Sequence, residues 1–120
     1  MTSEGTDHFE SLDVTERKDF YKTLKQELAK AIPVNLERIT SNENVETDTS
    51  TAENQIFLSI NINKDEAGQE RSVSFAIKDL DELIRHKAIT IIGSGESSRY
   101  LDQDYGYRPI RKDLFNIDFY

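Results

Sequence analysis

The sequence predicts a small α+β domain in which an N-terminal amphipathic helix packs on a mostly antiparallel sheet of about three to five strands, beside a second short helix. Three observations support this fold class. Apolar residues recur at helical spacing in residues 14–31, alternate with polar residues in 56–62 and 71–77, and return to helical spacing in 78–87. A length of 120 residues suits a single domain.

The first helix is predicted from Val14 to Ala31. Its start is marked by Asp13 followed three residues later by Glu16, a capping-box pattern, and Pro33 ends it. One apolar stripe runs along this segment, made of Phe20, Tyr21, Leu24, Leu28, Ala31 and Ile32. The helix therefore buries one face.

Two polar segments flank the predicted core. Residues 1–12 contain little apolar surface apart from Phe9, so we expect a flexible N-terminal tail before a single domain spanning 13–120. Residues 34–39 fit a short strand with Arg38 on its inner face. Residues 40–54 are rich in Ser, Thr, Asn and Glu and predict a polar, acidic, flexible loop.

A β-hairpin is predicted from the alternation in residues 56–62 and 71–77, with a reversal that contains Gly68. Residues 78–87 then predict the second helix, because leucine and isoleucine fall on one side and acidic residues lie near its start. Residues 88–92 are apolar and predict a third strand.

Composition limits the classes of function. The net charge of −8, from 15 Lys+Arg and 23 Asp+Glu, disfavours direct binding to nucleic acid or anionic lipid and makes a basic partner surface the natural complement. The absence of cysteine excludes disulfides and thiolate metal sites. The first residues lack the pattern of a secretory signal and no run is apolar enough for a membrane span, so we expect a cytoplasmic protein without membrane contact.

Residues 88–98, AITIIGSGESS, partly match a dinucleotide-binding turn. Gly93 and Gly95 have the required spacing, but Ser98 stands at the position of the last glycine or alanine. The helix and the return strand of such a site are also missing, since Gly106 and Pro109 interrupt the sequence that follows. An exit loop is the favoured interpretation. Nucleotide binding stays open as an alternative, with these candidate residues: Gly93, Gly95, Ser97 and Ser98.

No catalytic or metal-binding pattern is evident, and we expect no cofactor. His8 and His86 have no nucleophile or ligand pattern around them. His86 falls at a predicted helix C-terminus, where the helix dipole favours a positive charge. Glu96, Asp102 and Asp104 lie close in sequence but lack the spacing of a calcium loop. Such proximity is expected by composition in an acidic chain.

Aromatic and basic residues concentrate near the C-terminus, and tyrosine and arginine are typical anchors of protein interfaces. The interface candidates are Tyr100, Tyr105, Tyr107, Arg108, Arg111, Phe115, Phe119 and Tyr120. The same segment also fits a second role, in which Leu114, Phe115, Ile117 and Phe119 close the core.

The sequence thus favours a non-enzymatic protein-binding module, an adaptor, regulator or inhibitor that associates with a protein partner or forms a homodimer through its C-terminal segment. The alternative is an acidic mimic of nucleic acid that blocks a DNA- or RNA-binding protein. Binding through acidic surface weakens steeply as salt is raised, whereas binding through buried aromatic groups does not.

Overall fold

The computed structural model describes residues 1–43, 45–47, 55–64 and 72–107, together with the backbone of strands in 109–111 and 117–119. The α-helices are α1 (Ser3–Glu10), α2 (Val14–Ala31) and α3 (Val73–Arg85). The strands are β1 (Ile39–Thr40), β2 (Val45–Thr47), β3 (Ile56–Leu58), β4 (Asn61–Ile62), β5 (Pro109–Arg111) and β6 (Ile117–Phe119). Single 3₁₀ turns occupy Leu36–Arg38, Lys87–Ile89, Ile91–Ser94 and Ser98–Tyr100.

The described strands form antiparallel pairs rather than one larger sheet. β1 pairs with β4, β2 pairs with β3, and β5 pairs with β6. Helices and antiparallel strands together confirm the α+β class. The single predicted sheet covered by the first helix is replaced by these short pairs.

Helix α2 has the predicted bounds. The carboxylate of Asp13 accepts a hydrogen bond from the Glu16 N–H at 2.8 Å, and the Glu16 carboxylate accepts one from the Asp13 N–H at 3.1 Å. This reciprocal capping box satisfies backbone donors that the first turn leaves free. Leu24 and Leu28 are fully buried on the predicted apolar face.

The N-terminal segment differs from the expected flexible tail, because residues 3–10 form helix α1. Thr2 caps this helix by accepting from the Gly5 N–H at 3.0 Å. Phe9 is 2% exposed and meets the rings of Phe20 and Tyr21 edge-on, at 5.4 and 5.8 Å between centroids. Phe9 therefore packs α1 against α2, a contact that the low apolar content of residues 1–12 did not reveal. The Thr2 N–H also donates to the Tyr100 carbonyl at 2.9 Å.

The predicted hairpin between residues 56–62 and 71–77 is wrong, because β3 pairs with β2 and β4 pairs with β1, although strands do occur in its first half. The predicted reversal at Gly68 lies outside the described residues. Residues 56–62 supply β3 and β4, with the apolar side chains of Ile56, Leu58 and Ile62 buried. The predicted second strand, residues 71–77, is wrong: from Val73 the chain is helical and continues through the predicted short helix to Arg85.

Helix α3 forms because its apolar residues also satisfy a helical repeat. Ala76, Leu80 and Ile84 lie four residues apart and are buried on one face, whereas the strand pattern would have buried Phe75, which is 66% exposed. Ser72 caps the helix by accepting from the Phe75 N–H at 3.3 Å.

The third predicted strand, residues 88–92, is also wrong, since consecutive 3₁₀ turns occupy this stretch. The Thr90 hydroxyl donates to the Leu83 carbonyl at 3.0 Å, and the Gly93 N–H donates to the Thr90 carbonyl at 3.2 Å. These bonds wind the chain tightly, so that Ile92 enters the core while Ile89 is 86% exposed.

Other elements take up part of the predicted strand at 34–39 and part of the predicted loop at 40–54. A 3₁₀ turn covers Leu36–Arg38 before β1, and Arg38 is buried with its Nε–H donating to the Asn63 carbonyl at 2.8 Å. Strand β2 lies within the predicted loop. Residues 44 and 48–54 fall outside the described residues.

The core lies where α2, α3, the short strands and the 3₁₀ turns meet. Side chains from distant parts of the sequence fill it, and the most deeply buried large ones are Phe9, Leu24, Leu28, Ile32, Leu80 and Ile92. In the part of the chain that the structure describes, no helix is both long and apolar enough to cross a membrane.

Candidate functional site

The glycine-containing loop after Ile92 holds a carboxylate that comes from α2. The N–H of Glu96 donates to Glu27 Oε2 at 2.6 Å, and the N–H groups of Ser97 and Ser98 donate to Glu27 Oε1 at 2.9 and 3.0 Å. Convergent backbone N–H groups of this kind are typical of anion sites. We call these three donors the amide cradle.

The side chains around the amide cradle fix the loop in place. Ser97 and Ser98 are buried, and their hydroxyls donate to the carbonyls of Phe20 and Ile92 at 3.2 and 2.8 Å. A side chain has no room at Gly95, because a Cβ there would collide with the Glu27 carboxylate and the Ser98 hydroxyl. Its φ of −74° is ordinary.

Gly93 has a similar steric role, since a Cβ at this position would collide with the Lys87 carbonyl. The structure thus brings Gly95, Ser97 and Ser98 together around an anion, as a nucleotide site would require. The anion is the Glu27 carboxylate, which accepts from the N–H groups of Glu96, Ser97 and Ser98, and the sequence pattern alone did not identify it.

The two histidines occupy different environments. His86 follows α3, and its Nε2 lies 3.6 Å from Glu82 Oε2 in an exposed pair, so it stands at the helix C-terminus as predicted. His8 is exposed on α1 and stacks on Tyr100, with 4.8 Å between ring centroids.

The acidic residues near Asp102 have structural partners. Asp102 Oδ1 accepts from the Asp104 N–H at 2.9 Å, and Oδ2 accepts from Gln55 Nε2 at 3.1 Å. Among the described residues, no group of three or more His, Asp or Glu side chains is arranged to hold a metal ion.

The C-terminal interface candidates separate into different roles. Tyr107 lies in the core at 5% exposure, where its hydroxyl donates to the Ile60 carbonyl at 2.5 Å and its N–H donates to Asp81 Oδ1 at 2.8 Å. Burial raises the pKa of the Tyr107 phenol far above its usual value.

Tyr100 and Tyr105 remain partly exposed. The Arg99 guanidinium lies 5.0 Å from the centre of the Tyr100 ring, and the Tyr105 ring lies 4.9 Å from that of Phe57. The side chains of Arg108, Arg111, Phe115, Phe119 and Tyr120 lie outside the described residues.

Large apolar side chains are exposed at places that the sequence analysis missed. Ile89 is 86% exposed, Val14 72%, Phe75 66% and Ile91 47%. The sequence signal for Phe75 was present in the helical repeat of α3, which places it away from Ala76 and Leu80. Ile89 and Ile91 depend on the 3₁₀ turns, which the strand-like composition of residues 88–92 concealed.

Comparison with models of protein families, with curated proteins and with solved structures finds no significant match.

Proposed function

We propose that this chain is a non-enzymatic protein-binding domain of the adaptor, regulator or inhibitor kind. The observation that carries the proposal is the exposure of Ile89 and Ile91 on consecutive 3₁₀ turns. The next residue, Ile92, is buried in the core and anchors these turns. Covering an exposed isoleucine side chain recovers roughly 1.5–3 kcal/mol of hydrophobic free energy. A partner surface that covers both would gain from this rigid presentation.

The internal hydrogen bonds of three carboxylates that could have served a catalytic or ligand site support the same proposal. Glu27 is held by the amide cradle, while Asp81 accepts from the Tyr107 N–H and from Arg85 Nε at 3.0 Å. Asp102 is bound to Gln55. These groups act in folding, so we assign function to the exposed surface.

The acidic-mimic alternative rests on the net charge of −8. Helix α2 does not share that charge, because Arg17, Lys18, Lys22, Lys25 and Lys30 outnumber Glu16, Asp19 and Glu27 along it. A mimic needs a continuous acidic face, and the basic surface of α2 would not contribute to one. Protein binding through apolar side chains is therefore the favoured proposal.

Site-specific photo-crosslinking tests the proposed function. A photoreactive amino acid is placed at Ile89 and, as a control, at the exposed Glu37, and each full-length chain is irradiated in purified form and in cell extract. We expect covalent protein adducts at position 89 well above those at position 37. An adduct with a second copy would identify self-association, and equal yields at the two positions would refute the proposal.

A further inference from the structure

A groove opens between α1, α2 and β2, on a different part of the surface from Ile89. Its volume is about 180 Å³, and it is lined by Phe9, Val14, Arg17, Lys18, Tyr21, Glu43 and Val45. Phe9 and Tyr21 belong to the core, each 2% exposed, whereas Val14 and Val45 are 72% and 39% exposed. The groove therefore has an aromatic floor and an aliphatic rim.

The size of the groove suits one large apolar side chain. A cavity of about 150 Å³ in another protein holds a benzene ring. An exposed valine on each side, Val14 from α2 and Val45 from β2, offers apolar contact to such a group as it enters. A free amino acid would contact only the groove and would bind weakly. We therefore expect an occupant that makes further contacts outside the groove.

Those contacts are offered by a row of lysines on α2. Lys18 lines the groove, and Lys22 and Lys25 follow it at spacings of four and three residues. With about 100° of rotation per residue, the three side chains project within about 60° of one another around the helix axis. None of them forms an ion pair with a described residue.

The lysine row repels itself, because like charges at these spacings destabilise a helix. Arg17 differs, since its guanidinium donates to the carbonyls of Leu12 and Glu10 at 3.1 and 3.3 Å and lies 4.9 Å from the centre of the Phe9 ring. Among the described residues that line the groove, Glu43 is the one that carries a carboxylate, and it lies outside α2. An anionic partner would thus be attracted along the lysine side of the groove.

We propose that this groove binds an acidic peptide segment of a partner protein, with one large apolar side chain in the groove and its carboxylates along Lys18, Lys22 and Lys25. The proposal rests on the proposed function, whose partner is a protein, but it uses another surface. A single-stranded nucleic acid fits less well, because its bases bind by stacking on aromatic faces and the aromatic side chains of the groove floor are buried.

Fluorescence anisotropy on the full-length chain tests the assignment with defined probes. The first probe is a labelled peptide of Glu and Asp residues around a single Phe. The second replaces that Phe by alanine, and the third replaces the acidic residues by Gln and Asn. A short oligothymidylate of the same formal charge is the fourth. We expect the first peptide to bind about tenfold tighter than the second or third, and tighter than the oligothymidylate.

Variants locate the binding surface. Lys18→Glu and Lys22→Glu replace an attraction by a repulsion, and each should weaken the first peptide by about tenfold. Lys78→Glu makes the same charge change on an exposed position of α3 and should have little effect. Val14→Ser should weaken the Phe peptide while leaving the alanine peptide unchanged.

Several results would overturn the groove assignment: equal affinity for the acidic and the amide peptides, equal loss in Lys18→Glu and Lys78→Glu, or tighter binding of the oligothymidylate. Peptide binding without crosslinks at Ile89 would refute the proposed role of the Ile89 surface and retain the groove. Crosslinks at Ile89 without peptide binding would refute the groove alone.

Discussion

Replacing Glu27 by glutamine should release the loop of residues 93–98 from α2. Glu27→Gln preserves the size of the side chain but removes its charge, and it turns one acceptor oxygen into an amide donor that faces the amide cradle. The loop then loses its charge-assisted bonds, while the neighbouring hydroxyl bonds of Ser97 and Ser98 remain available.

The expected magnitude follows from the three bonds. A hydrogen bond to a charged group contributes about 1.5–3 kcal/mol, and the three share one carboxylate that is partly exposed to water. We therefore expect a loss of about 2–3 kcal/mol in the free energy of unfolding. With an unfolding entropy of about 2.1 cal/mol/K per residue over 120 residues, 1 kcal/mol corresponds to about 4 °C. The melting temperature should fall by about 8–12 °C.

Thermal melts of the full-length variants provide the assay. Glu37→Gln is the matched control, because it makes the same chemical change at an exposed position and should cost at most about 0.5 kcal/mol. Amide exchange adds a local readout: exchange at Glu96, Ser97 and Ser98 should accelerate in Glu27→Gln. Equal melting temperatures for the two variants, with unchanged exchange at these amides, would show that the Glu27 carboxylate does not hold the loop.

Three further changes have clear expected outcomes. Gly95→Ala should destabilise the fold, since its Cβ collides with the Glu27 carboxylate and the Ser98 hydroxyl; a melt compared with that of Thr15→Ala, at an exposed position, measures the cost. Tyr107→Phe removes the hydroxyl bond to the Ile60 carbonyl and should cost about 1–3 kcal/mol by denaturant unfolding, with the part-exposed Tyr100→Phe as control. Because burial raises the pKa of Tyr107, the phenol loses its proton more readily in the unfolded chain than in the folded one. Stability should therefore fall as the pH rises above about 10, the pKa of tyrosine in the unfolded chain, and should fall less steeply in Tyr107→Phe. Ile89→Ser should leave the melting temperature within about 2 °C of wild type, because the side chain is 86% exposed; a large drop in melting temperature would place Ile89 in the core instead.

Helix α2 was predictable because several local signals agree on it. The capping box at Asp13 and Glu16, the apolar stripe and Pro33 all favour one structure, and each depends only on neighbouring residues. The same kind of agreement was absent from residues 71–77. There an alternating pattern and a helical pattern share Val73 and Ile77, and burial of Ala76 together with Leu80 decides in favour of α3.

Tertiary contacts decide the remaining differences. Helix α1 depends on Phe9 meeting Phe20 and Tyr21, and the amide cradle depends on Glu27, which lies 69 residues from Glu96 in sequence. A glycine pattern gives the shape of such a loop but not the identity of the anion that it binds. The C-terminal tyrosines show the same limit, since only the fold places Tyr107 in the core and leaves Tyr100 partly exposed.

The loop of residues 93–98 binds the Glu27 carboxylate as an internal anion, so we expect it to bind no nucleotide. The decisive measurement is a calorimetric titration of the full-length wild-type chain with ATP, NAD and FAD. We expect no binding heat and an unchanged melting temperature with any of the three. A ligand at a hundredfold excess over its Kd would raise stability by about 2.7 kcal/mol. Such a rise, accompanied by binding heat, would contradict the internal role of the loop and assign it to a nucleotide.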